Sequence, residues 1–176
     1  MAKTVMAVHD GLAPALGSVQ ALLEQGYPAG EISLACRLAG SEKRAVRKTG
    51  KAGQSLLLYQ QHHPDAGAVQ RALGLQAVKA AGMGVVLVSG RLGEALRSGF
   101  AGGAGLMNAL LHLGVPEERA HYYAEAVRQG GALLMLRTPD YRTGEAVTII
   151  RRHQPLDLPR LAAQWRRAGW NGFGAP

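Results

Sequence analysis

Few residues of this chain combine reactive chemistry with useful spacing. Glu117, His121 and Glu125 follow one another at single helical turns, so two metal-ligating side chains share one helix face. No His-Glu-x-x-His or Cys-x-x-Cys pair supplies further ligands, and a solvated helix face is the reading preferred to a metal site. His62 and His63 are adjacent and cannot both point at one site from a strand, although a loop would allow it; surface residues are the preferred reading. Cys36 is the only cysteine and lies in an apolar run. It reads as a small core residue in a reducing cytoplasm, with no disulfide framework. Gly82-Met83-Gly84 lacks the third glycine of a dinucleotide fingerprint, and neither a G-x-S-x-G elbow nor a Walker A loop is present. Tyr122 and Tyr123 face different ways on a helix, and only Tyr122 is placed to touch a ligand. The sequence therefore assigns no catalytic residue, no cofactor, no metal and no small-molecule substrate.

Those residues sit in a chain of 176 residues, long enough for one domain with a real core. Its 47% hydrophobic and 18% charged content fits a globular protein, while 24 glycines against two phenylalanines imply close backbone packing. The formal charge of +8 is clustered: residues 37–51 hold six Lys and Arg against Glu42, and residues 151–176 hold five Arg against Asp157. Lys43, Arg44, Arg47, Lys48 and Lys51, joined by Arg166 and Arg167, are thus the candidate phosphate contacts of a nucleic-acid surface. Aromatic residues for stacking on bases are scarce, and solvated loops and tails carry similar charge.

The elements that must position these groups are readable in order. Residues 3–8 form an apolar strand, residues 12–25 a helix stopped at Gly26, and residues 31–36 a strand whose alternation at Glu31 and Ser33 places it at a sheet edge. Residues 37–64 read as a basic loop with one short apolar run, and residues 68–81 as a helix. Val85 to Val88 fit no single period. Between Gly90 and Leu113, Ala95, Gly99 and Gly103 form one small-residue stripe and Ala101, Gly105 and Ala109 another. This is the signature of close helix approach and is read as a self-association surface. With five glycines, Asn108 and His112, the uncharged part of this stretch is too weakly hydrophobic for transmembrane insertion to be expected. Pro116, Glu117 and Glu118 open a helix that Gly130-Gly131 ends. Ala132 to Leu136 is a solidly apolar strand, and Asp140 caps a helix that ends near Arg151-Arg152-His153. Residues 155–158 alternate between prolines as an edge strand, and residues 160–176 form a tail with a helical start.

Strand, helix, strand, insertion, strand, helix, strand is the order of an α+β, ferredoxin-like split β-α-β sandwich, here a single domain 1–176 with a Gly-rich helical insertion at 37–113. That topology puts residues 3–8 and 132–136 side by side in mid-sheet and residues 31–36 and 155–158 at the edges. The words Leu113-Gly-Val-Pro-Glu-Glu-Arg-Ala-His-Tyr-Tyr-Ala-Glu-Ala-Val-Arg-Gln-Gly-Gly131, Gly26-Tyr27 before Glu31-Ile-Ser33, Gly82-Met-Gly84, Gly90 and Ala146 to His153 resemble the bacterial general-stress-protein domain family, also called heat-induced stress proteins. The resemblance implies a functionally obscure, stress-linked protein with no catalytic residues to carry over. The expectation is a cytoplasmic, non-enzymatic structural or interaction module that forms homo-oligomers through its Gly-rich helices. The alternative is a nucleic-acid-binding protein using the basic 43–51 loop and the basic C-terminal segment.

Overall fold

The computed structural model describes residues 1–37, 66–80, 82–98 and 105–170. Outside them lie the basic residues of 43–51, the short apolar run Ser55 to Tyr59, His62-His63, Gly99, Ala101, Gly103 and residues 171–176. The described chain runs β1 (Ala2–His9), α1 (Leu12–Glu24), a 3-10 turn (Ala29–Glu31), β2 (Ile32–Arg37), α2 (Ala66–Leu73), β3 (Gln76–Ala80) and β4 (Gly84–Val88). It continues as α3 (Gly90–Arg97), α4 (Leu106–His112), α5 (Glu117–Arg128), β5 (Ala132–Pro139), a second 3-10 turn (Asp140–Arg142), α6 (Thr143–Arg151) and α7 (Leu158–Arg167).

The fold is mixed α/β, built on one five-stranded antiparallel sheet ordered β1-β5-β2-β4-β3. Because β5 pairs antiparallel with both β1 and β2, those two strands run parallel to each other, and α1 crosses between them with β5 filling the gap. Helices cover both faces. Leu34, Leu134 and Leu136 face α1, α2 and α6 in one core, while Val86, Leu133 and Met135 face α3, α4 and α5 in the other, with α7 packed against its margin. Leu34, Leu134 and Leu136 are all fully buried, each contributing about 2 kcal/mol to the hydrophobic stabilisation.

β5 is interior and covered on both faces, and β1 pairs with it in register from Ala2↔Pro139 to His9↔Ala132. The expected positions of the flanking strands are corrected. β1 is an edge strand, and β2 lies inside the sheet between β5 and β4. An apolar run reports that both faces of a strand are covered; it does not report hydrogen-bonded neighbours, so in a three-layer packing an edge strand can be as apolar as a central one. The polarity of β2 has a local cause too. Glu31 belongs to the turn before the strand, and the Ser33 hydroxyl is buried beneath α3, 3.5 Å from the Leu92 N–H.

Residues 155–158 do not form a strand. Leu156 donates its N–H to Val8 O at 2.7 Å on the outer side of β1, and Asp157 then caps α7 by accepting from Arg160 N. The proline that follows Leu158 favours the start of a helix and not the continuation of a ladder. The helix expected over 68–81 is α2 only as far as Leu73; its second half is β3, which turns back on β4. Residues 37–113 are therefore not a purely helical insertion: they add a β-hairpin to the sheet as well as α2, α3 and α4. Gly90 holds the hairpin to β2. With φ +60, it sits where a Cβ would lie 2.6 Å from both Ile32 O and Ser33 Oγ. Only glycine lets the chain pass this close.

Candidate functional site

α5 and α7 meet on the second face of the sheet, and Trp165 and Trp170 gather there. Tyr122 projects from α5, where its hydroxyl donates to Glu118 Oε1 at 3.1 Å one turn earlier. α7 presents Trp165, packed against the second core, and Arg166. Gly169, at φ +94, reverses the chain after α7 so that Trp170 N returns to Trp165 O at 2.9 Å. That reversal aims Trp170 back at the two helices. Its ring centroid lies 5.6 Å from Tyr122 and 5.8 Å, edge-on, from Trp165. These are the separations at which aromatic pairs attract. The Arg166 guanidinium stands 5.2 Å over the Tyr122 ring and 3.8 Å from Glu118 Oε1. Arg119, one turn before Tyr122 on α5, and Arg167 are exposed on the same pair of helices. Both tryptophans of the chain thus lie together, half-buried, in one cluster with Tyr122 and the exposed Arg166.

Of the residues singled out in the sequence, Tyr122 and Arg166 are brought together here, and Trp170 of the tail joins them. Sequence reasoning missed Trp165 and Trp170 as site residues. Their signal was the Gly169 stop after a helix, which fixes the direction of the residue that follows. Lys43, Arg44, Arg47, Lys48 and Lys51 fall outside the described residues. Ala95 and Ala109 of the small-residue stripes are 7% and 2% exposed, packed in the chain's own core on α3 and α4, with Gly105 at the start of α4. Cys36 is buried in the first core.

His121 Nε2 lies 3.9 Å from Glu117 Oε1, but the Glu125 carboxylate is taken up elsewhere. Arg128 reaches it through both Nε and Nη2, and Gln129 adds a third bond. Burial would raise the Glu125 pKa, yet these donors hold it below the ordinary carboxylate value. Among the described residues no three His, Cys, Asp or Glu side chains come together as metal ligands, and no helix is long and apolar enough to cross a membrane.

Among the described residues, Ser18 and His9 form a hydroxyl–imidazole pair. Ser18 Oγ on α1 lies 2.7 Å from Nε2 of His9 at the end of β1, and both residues are 0% exposed. Burial, reinforced by the charge of His153, brings the His9 pKa down to about 4, so the ring is neutral at neutral pH. A serine beside a neutral imidazole has the first requirement of a nucleophile. This one is sealed between strand and helix, where no substrate reaches it, and it serves as a polar tie between β1 and α1. At the opposite end of the sheet a second polar group surrounds Tyr27, whose hydroxyl lies 2.8 Å from Glu145 Oε2 and 3.0 Å from Arg142 O. Burial, then the hydrogen bond to Glu145, pushes the Tyr27 pKa up to about 12. Comparison of the chain with known protein families, curated proteins and solved structures returned no match.

Proposed function

We propose that this protein is a non-enzymatic interaction module that binds single-stranded nucleic acid through the face made by α5, α7 and Trp170. The observation that carries this reading is the convergence of Tyr122, Trp165 and Trp170 with Arg166 on one surface, with Arg119 and Arg167 exposed on the same two helices. Binding without sequence preference needs cations for the phosphates and aromatic faces for the bases. The few aromatic residues of the chain argued against such a role only while they were counted along the sequence. Glu118 tempers the face by engaging both Tyr122 and Arg166. The basic 43–51 segment would add to the same electrostatic attraction. We read the unit β1-α1-β2 with β5 between its strands as a ferredoxin-like core extended by β3 and β4, and the Pro116 to Glu125 stretch as the mark of a cytoplasmic stress-associated protein.

The test uses the tryptophans themselves. Titration with oligo(dT) or oligo(U) at low salt should quench intrinsic fluorescence, and the affinity should fall as salt rises. Trp170→Ala should weaken binding by about 1–3 kcal/mol. Glu118→Gln should tighten it, because a carboxylate leaves the path of the phosphates. Absence of both quenching and retardation at low salt ends this reading.

A second reading, self-association, is favoured by the outer edge of β1. The bond from Leu156 to Val8 O marks which side of the strand faces away from β5, so alternation turns the main-chain groups of Ala2, Thr4 and Met6 outward as well. Such an edge can pair with its own copy. Thr4→Pro removes an outward N–H and should convert a dimer to a monomer in light scattering; a wild type that is strictly monomeric at high concentration rejects the reading.

A further inference from the structure

At the end of the sheet remote from the Ser18–His9 pair, the turn after α1 and the turn after β5 enclose a cleft of about 600 Å³. That is the size of sites that hold small organic molecules. One wall is fixed. The Tyr27 ring is 3% exposed, Arg142 lies 3.9 Å over it, and Arg142 is held in turn by Gln25 O and Glu145. The other groups facing the cleft are not so engaged. One oxygen of Glu31 is buried without a hydrogen-bond partner, and so is the hydroxyl of Thr138, whose residue is 1% exposed. Buried polar groups are nearly always paired, and two unpaired ones on one cleft call for a partner that the chain does not supply.

Arg137 lines the same cleft. The pairing of β2 with β5 begins at Ile32 and Leu136, so Glu31 and Arg137 are the residues just beyond the last rung of that ladder. Among the described residues no ion pair involves either, although both line the cleft. Tyr141, 86% exposed, is an aromatic ring at the same mouth.

We propose that this cleft binds a small zwitterion of amino-acid type, its ammonium taken by Glu31 and Thr138, its carboxylate by Arg137, and its apolar body laid against Tyr141. A simple anion would meet the Glu31 carboxylate, which only accepts hydrogen bonds, and a simple cation would meet Arg137 and Arg142. A ligand carrying both charges answers both. The aromatic and proline surfaces of Tyr27, Pro28, Pro139 and Tyr141 suit an apolar side chain. The site is separate from the α5–α7 face and stands or falls independently of nucleic-acid binding.

The experiment is an amide NMR titration of the wild-type chain with L-phenylalanine, phenethylamine and 3-phenylpropionate. Phenylalanine should shift the amides of residues 26–31 and 137–142 and saturate, with each single-charge analogue at least about tenfold weaker. Glu31→Gln should weaken phenylalanine and phenethylamine while sparing 3-phenylpropionate, and Arg137→Gln should do the reverse for the two analogues. Amide positions elsewhere report whether each variant keeps its fold. No shift at those amides in the wild type, equal binding of phenylalanine and phenethylamine, or binding that survives both substitutions overturns the proposal.

Discussion

Thr138 exposes the tension between stability and recognition in a single hydroxyl. Its Oγ is buried without a partner, a situation that costs about 1–3 kcal/mol relative to a paired group. Thr138→Val keeps the shape of the side chain and removes the polar atom, so it should raise the unfolding free energy by about 1 kcal/mol in a denaturant titration while weakening phenylalanine binding. Two glycines make an opposite pair. A Cβ at Gly90 collides with Ile32 O and Ser33 Oγ, so Gly90→Ala should cost about 2–4 kcal/mol and loosen α3 from β2. Gly144, on α6, has open space around its Cα and no positive φ, so Gly144→Ala should stabilise by about 0.5–1 kcal/mol. Both are measurable as shifts of the thermal midpoint.

α3 and α4 decide what the small residues are for. Ala109 is 2% exposed within the second core, so Ala109→Leu should overpack that core and destabilise the monomer by about 1–3 kcal/mol. Were the stripe an oligomer surface, the same change would alter assembly and spare monomer stability; chemical denaturation with light scattering separates the two. At this scale the sequence was legible where a period of 3.6 was sustained. α1, α5 and α6 follow their apolar spacing, and β5 its unbroken apolar run. It was illegible where elements are short. α2 and β3 merge into one helical pattern because Val69, Leu73 and Ala77 keep helical spacing across the Gly74 stop, and β4 holds too few residues to show any period. The site residues were harder still. Tyr122 and Arg166 could be singled out individually, but their meeting with Trp170 depends on a helix–helix contact and one turn, which no local pattern encodes.

For the molecule as a whole, His9 makes stability depend on pH on the acid side of neutrality. Its pKa is about 4 when folded against an ordinary value of 6.5, so below about pH 6.5 the unfolded chain takes up a proton that the folded chain refuses. Stability should therefore be unaffected by this group above that point and fall as pH drops from about 6.5 to about 4, by about 3 kcal/mol in all. His9→Asn should flatten that part of the pH–stability curve. The order of the sheet carries a further consequence, for synthesis. β5, wedged between β1 and β2, is made after both of them and after β3 and β4. A nascent chain emerging from the ribosome leaves β1 and one edge of β2 without their common partner until residue 139 has cleared the exit tunnel. Until then the β2 edge that receives β5 stays open beside the finished β3–β4 hairpin, which makes that interval the time at which a chaperone or a foreign strand competes for it.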